Sequence, residues 1–134
     1  MQIIKILVDW NGNFGAATTN EDVAVVVTGT TLAEMKSNME ESLRLHIEWM
    51  KEEGDIIPSE FLGEYTLEYE LSPRALMHHA ESFVSRSALA KESGIPSRQL
   101  GHYYTGIKQP RPQQVERIKT GLRSIISQLS TLSL

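Results

Sequence analysis

The run RSALAKESGIPSRQLGHYYTG, Arg86 to Gly106, constrains the chain more than any other stretch, because it spells two short helices meeting at a glycine turn. Ala90 offers a small side chain where the helices touch. Gly94, four residues on, can take the positive φ that such a turn demands. Leu89, Ile95, Leu100 and Tyr103 supply the apolar contacts that hold the pair at one angle. Ser97 can cap the second helix, whose first turn then presents Arg98 outward. Gly101 inside that helix costs about 1 kcal/mol relative to alanine, which either a close approach to another surface or simple tolerance accounts for.

The flanks extend this hairpin into an all-α domain, residues 72–134. Ser72-Pro73 is a cap followed by a first-turn proline, predicting a helix to about Val84 with Leu76, Ala80 and Phe83 inward. Ser85 or Ser87 caps the next helix. Pro110 and Pro112 break the chain before a last helix from Gln113 to about Leu129, along which Val115, Ile118, Leu122, Ile125, Ile126 and Leu129 recur. That face is longer than one small bundle needs. Leu122, Ile125, Ile126 and Leu129 are therefore expected at the interface of a homodimer or higher homo-oligomer, the alternative being that they simply close the bundle.

The formal charge of −4 hides a division. Residues 1–71 hold four Lys and Arg against fourteen Asp and Glu, a net −10; residues 72–134 hold nine against three, a net +6. A basic module attracts phosphate, and an acidic one suits a basic partner. With no cysteine, disulfides, thiolate metal sites and cysteine nucleophiles are excluded. No apolar run approaches the ~20 residues of a membrane span, and MQIIKILVDW alternates as a strand rather than reading as a secretion signal. The expectation is a soluble, cytoplasmic protein with no membrane partner.

Residues 1–71 read as β-β-β-α-β. Ile3 to Trp10 ends at Asn11-Gly12, a hairpin dipeptide, and Asn13 to Thr18 returns with Phe14 as its anchor. Val23 to Val27, almost wholly aliphatic, predicts a strand buried on both faces. Thr31-x-x-Glu34 is a capping box opening a helix whose inner face is Leu32, Met35, Met39, Leu43, His46, Ile47 and Met50. Glu40, Arg44 and Glu48 occupy the opposite face. Gly54 ends the helix and Pro58 prevents its resumption. From Glu64 to Leu71 the alternation sets Tyr65, Leu67, Tyr69 and Leu71 toward a core, and Glu64, Thr66, Glu68 and Glu70 outward as an acidic stripe.

On these residues the first seventy positions resemble the HicB antitoxin family. Thr31-Leu32-Ala33-Glu34 matches its helix start, and Gly54-Asp55-Ile56-Ile57-Pro58 its exit from the long helix. Glu21-Asp22-Val23-Ala24-Val25 departs from the family's usual loop at Asn20 to Thr28. The span from Arg86 to Pro112 resembles the helix-turn-helix of phage-repressor-type regulators, including Gly106 and Lys108 after the reading helix. The resemblance implies an α+β fold, with a partial RNase H-like HicB domain followed by a helix-turn-helix domain. It implies an antitoxin that binds a small basic HicA-like toxin and represses its own operon on double-stranded operator DNA.

Roles follow position by position. Ser97, Arg98 and His102, with Gln99 if the helix rolls, are the expected base contacts, Arg98 suiting guanine O6/N7. Arg86, Thr105, Lys108 and Arg111 are expected on phosphates, and Tyr104 either on phosphate or in packing. Trp10, Glu64, Glu68 and Glu70 are the expected toxin contacts. The alternative is a stand-alone transcriptional regulator whose first domain senses a ligand or oligomerises. A nuclease built on Asp9 needs carboxylate companions such as Asp22 and Glu64 that no spacing brings together. Adjacent His78-His79 make a poor ligand pair, and the nine glycines form no phosphate loop. No cofactor, metal or catalytic residue is expected.

Overall fold

The structure, a computed structural model, describes residues 1–134; the chain is α+β, with one four-stranded mixed sheet and five α-helices. It divides into two compact units, Met1–Ala75 and Leu76–Leu134. The division falls just after the expected 71/72 boundary because Ala75, fully buried, belongs to the core of the first unit.

In that unit β1 (Gln2–Trp10), β2 (Phe14–Thr18) and β3 (Val26–Gly29) precede α1 (Leu32–Glu52) and β4 (Tyr65–Leu71). The strand order is β3-β2-β1-β4. β1 and β2 pair antiparallel from Trp10↔Phe14 to Ile6↔Thr18 around the Asn11-Gly12 turn, where Gly12 has φ +87°. β4 lies parallel to β1, from Gln2↔Tyr65 to Val8↔Leu71, a pairing that requires the long crossover containing α1. Alternation along β1 buries Ile4, Ile6 and Val8 against Met35, Met39, Leu43 and Ile47 of α1 in one core. Tyr65, Leu67, Tyr69 and Leu71 add a half-buried row on the same side.

The Thr31 hydroxyl caps α1 by accepting from Glu34 N at 3.1 Å. The reciprocal arm is displaced by one residue: the Glu34 carboxylate takes Thr30 N and Thr30 Oγ1 at 3.3 and 3.0 Å. His46 is half-buried at the edge of the apolar stripe, 5.9 Å from the Trp49 ring.

The third strand departs from expectation. Val23 and Val25 are buried but lie outside it, and Val26 is 76% exposed. Thr18 explains the shift: its hydroxyl donates to Val23 O at 2.6 Å and accepts from Val25 N at 2.9 Å, standing in for ladder bonds. A short 3-10 turn, Ser59–Phe61, buries Phe61 in the same core and has no counterpart in the sequence reading.

The remaining helices are α2 (Pro73–Ala80), α3 (Arg86–Ser93), α4 (Ser97–Thr105) and α5 (Pro112–Ser130). Ser72 caps α2, its Oγ accepting from Ala75 N at 3.1 Å. α2 stops at Ala80, whose carbonyl takes both Phe83 N and Val84 N at 2.9 Å. Phe83, expected inward, is consequently 77% exposed, edge-on to His79, and Met77 is buried. Ser85, not Ser87, caps α3, and Gly94 takes φ +72°. Leu89, Ile95, Leu100, Tyr103, Tyr104 and Ile118 complete the core around Met77. Where α3 meets α5, Gly121 lies so close to Ser93 that an added Cβ would sit 2.9 Å from Ser93 N.

Candidate nucleic-acid interface

α4 begins one residue earlier than a Ser97 cap requires. Pro96 is the N-cap, its carbonyl accepting from Leu100 N at 3.0 Å, and Ser97 is the first helical residue, exposed and making no cap. Arg98, also exposed, lines an open hollow of about 320 Å³ with Pro96, Gln99, His102 and Lys108. Three of the four expected base contacts therefore share one surface with an expected phosphate contact. Gln99 is oriented by its neighbour one turn on, its Nε2 donating to Tyr103 Oη at 2.7 Å.

A second hollow of about 650 Å³ continues from Gln99 and Lys108 to Arg111, Gln114 and Arg117 at the start of α5. Lys108, Arg111 and Arg117 give it three cations and no carboxylate. Arg117 escaped sequence reading, although its place five residues after the helix-opening Pro112, beside Gln113 and Gln114, marks the same face.

Arg86, expected on phosphate, is also engaged within its own unit. Its guanidinium lies 4.1 Å from the centroid of the Tyr104 ring, and its Nε donates to Glu81 Oε1 at 3.2 Å. His78 Nε2 is 2.8 Å from Tyr104 O, and its Nδ1 is 3.8 Å from Glu81 Oε2. Tyr104 is thus a packing residue, 2% exposed, and Arg86 belongs to a clamp joining α2, the start of α3 and the end of α4. Burial and then the Glu81 carboxylate push the Tyr104 phenol above its ordinary pKa, with Arg86 pulling the other way. The Thr105 hydroxyl donates back into its own helix, to Gly101 O at 3.0 Å.

Of the four residues expected between copies, Leu122 packs against the core of this unit and Ile125 is half-buried. Ile126 and Leu129 are exposed, 65% and 61%. Glu92 of α3 reaches the same helix, accepting from Ser124 Oγ at 3.0 Å. Bonds from Gln128 and then Ser124 hold its carboxyl below the usual range.

The expected toxin contacts do not all come together. Glu68 and Glu70 point out of the sheet face opposite α1, and Glu64 just precedes them. Trp10 has the parity of Ile4, Ile6 and Val8, so it packs on the α1 side, 4.9 Å from Phe14. That parity was legible in the sequence. Asp9 accepts from Ser72 Oγ at 2.7 Å and Trp10 N at 2.8 Å, which ties the end of β1 to the start of α2. No three His, Asp or Glu residues converge as a metal ion would need. No helix is long and apolar enough to cross a membrane. No protein-family model, curated protein or solved structure matches the chain.

Proposed function

We propose that the chain is a HicB-like antitoxin whose helical unit reads operator DNA and whose acidic unit masks a small basic, mRNA-cleaving toxin. The observation that carries the reading is the gathering of Arg98, Gln99, His102 and Lys108 around one open hollow, continued by Arg111 and Arg117. Such a surface offers side chains with base-edge chemistry on a short exposed helix, flanked by cations at the reach of phosphates. Arg98 suits guanine and Gln99 adenine. Lys108, Arg111 and Arg117 suit the backbone and make the affinity salt-dependent.

Two further features support the reading. The β3-β2-β1-β4 order with a helical crossover to a parallel fourth strand fits a partial RNase H-like HicB sheet. The opposite charges of the two regions fit one partner that is polyanionic and another that is basic. Two copies joined through Ile126 and Leu129 would present two readers to palindromic half-sites about 34–36 Å apart.

The test is titration of the purified chain with the duplex upstream of its own gene at two salt concentrations, beside a growth-rescue assay with the adjacent reading frame. Arg98→Ala is expected to weaken duplex binding about 5- to 100-fold, the worth of one bidentate base contact, and to leave rescue intact. Equal loss of both activities refutes separate modules. Absence of duplex binding at low ionic strength refutes the DNA-reading half.

A further inference from the structure

The sheet face that α1 leaves bare is apolar along its middle. The register lines up Val26, Ala17 and Leu7 across β3, β2 and β1, and Glu70 of β4 ends the row. Val26 is 76% exposed, Leu7 48%, and Ile3, farther along β1, 65%. Ala17 and, beside it on the same face, Gly15 keep the centre flat.

This is not how a solvated sheet face is ordinarily built. Antiparallel sheets that face water alternate polar residues outward, and parallel pairs are usually covered on both sides. Here the parallel pair β1·β4 has one open side carrying two large aliphatic residues. The edge of that face is acidic. Glu68 and Glu70 stand on β4 and Asp9 at the end of β1; Lys5 is the one cation of this row, already paired with Glu70 at 3.3 Å.

We infer that this bare face is the docking surface for a Lys- and Arg-rich protein, seated on Ile3, Leu7 and Val26 and bordered along β4 by Glu68 and Glu70 and at the end of β1 by Asp9. The inference rests on the antitoxin reading and gives its protein partner a location. An apolar patch with a charged border suits a protein interface, the patch supplying affinity and the border supplying orientation and on-rate. Charge decides the occupant. A second copy laid face to face would set acidic border against acidic border, within regions of net −10 each. A cationic partner meets the same border with attraction.

The experiment co-expresses the full chain with the product of the adjacent reading frame and measures their affinity by calorimetry. The variants are Ile3→Lys with Val26→Lys, and separately Glu68→Lys with Glu70→Lys. A control pair, Leu45→Ala with Trp49→Ala, removes two exposed apolar side chains of α1, away from the bare sheet face. Each sheet-face pair is expected to weaken binding at least tenfold, the control to leave it within twofold, and all three to keep the duplex binding of the parent chain. Retained affinity in the sheet-face variants, or loss in the control, overturns the inference while leaving the antitoxin reading standing. If Val26→Lys lowers the oligomeric state of the chain alone in sedimentation, the face is covered by a second copy and the inference is wrong. If the parent chain does not bind the neighbouring product at all, the antitoxin reading falls and takes the inference with it.

Discussion

Replacing Gly29 with alanine tests how tightly α1 is set against the sheet. Gly29 closes β3, and a Cβ there would lie 2.5 Å from Met35 N, 2.7 Å from Met35 Cα and 2.9 Å from Met35 Cβ. The first two are backbone atoms in the opening turn of a helix, and Met35 N donates to Thr31 O at 3.0 Å. No rotamer change relieves such a contact, so either β3 or the start of α1 must retreat by roughly 1 Å. Overpacking of this kind costs about 1–3 kcal/mol. The reduced freedom of the unfolded chain returns about 0.5–1 kcal/mol. The net expectation is a loss of about 1–2 kcal/mol, a fall in melting temperature of about 5–15 °C for a unit of this size.

Gly15→Ala is the internal control. It lies in the adjoining strand, paired across to Thr28 and Asp9, and an added Cβ meets nothing within 4 Å. Its expected effect is neutral to stabilising by up to about 1 kcal/mol. Both tryptophans of the chain, Trp10 and Trp49, belong to the first unit, so fluorescence during urea unfolding reports on that unit alone. A Gly29→Ala midpoint at or above that of the parent, or a Gly15→Ala midpoint below it, would refute the steric argument.

Three further outcomes are expected. Because Arg86 is held by Tyr104 and Glu81, Arg86→Met should weaken duplex binding without changing its salt slope, whereas Lys108→Met should lower that slope by about 0.9; Glu81→Gln, which removes a negative charge, should nonetheless weaken binding. Tighter binding by Glu81→Gln in a filter or fluorescence titration would show that charge outweighs the clamp. The Tyr69 phenol is pushed up to about 12 by burial and then by the Glu40 carboxylate. Its folded pKa exceeds the unfolded value near 10, so this group's contribution is constant below pH 10 and is lost as pH rises toward 12. Absorbance titration should show Tyr69 ionising last, and earlier in Glu40→Gln. Ile126→Asp with Leu129→Asp should leave the helical content unchanged by circular dichroism and convert a dimer to monomers in sedimentation; an unaltered dimer would move the interface elsewhere.

Local patterns in the sequence foretold most elements, and the failures share a cause. Thr31 with Glu34, the Asn11-Gly12 turn and the three- and four-residue spacing along α1 are properties of neighbours in sequence, and each appears where its residues stand. Val23 to Val27 failed because burial was read as strand, when Thr18 holds the segment locally, its hydroxyl bonding Val23 O and Val25 N and its amide donating to Val25 O. Phe83, expected inward, is exposed because α2 ends one turn early, set by two amides converging on Ala80 O. At the candidate interface, spacing along one short helix was enough to bring Arg98, Gln99 and His102 together. The engagement of Arg86 was not legible, since its partners Glu81 and Tyr104 come from two other places in the chain.

The central strand of the sheet also imposes an order of assembly. β1 finds β2 within a few residues, but its other neighbour, β4, begins some sixty positions later. Short-range closures are made sooner than long-range ones. During synthesis the hairpin and the long helix can therefore consolidate while one flank of β1 still waits, unbonded, for a strand the ribosome has not yet released. That strand brings Glu68 and Glu70 with it, so the acidic border is complete only once β4 has paired with β1.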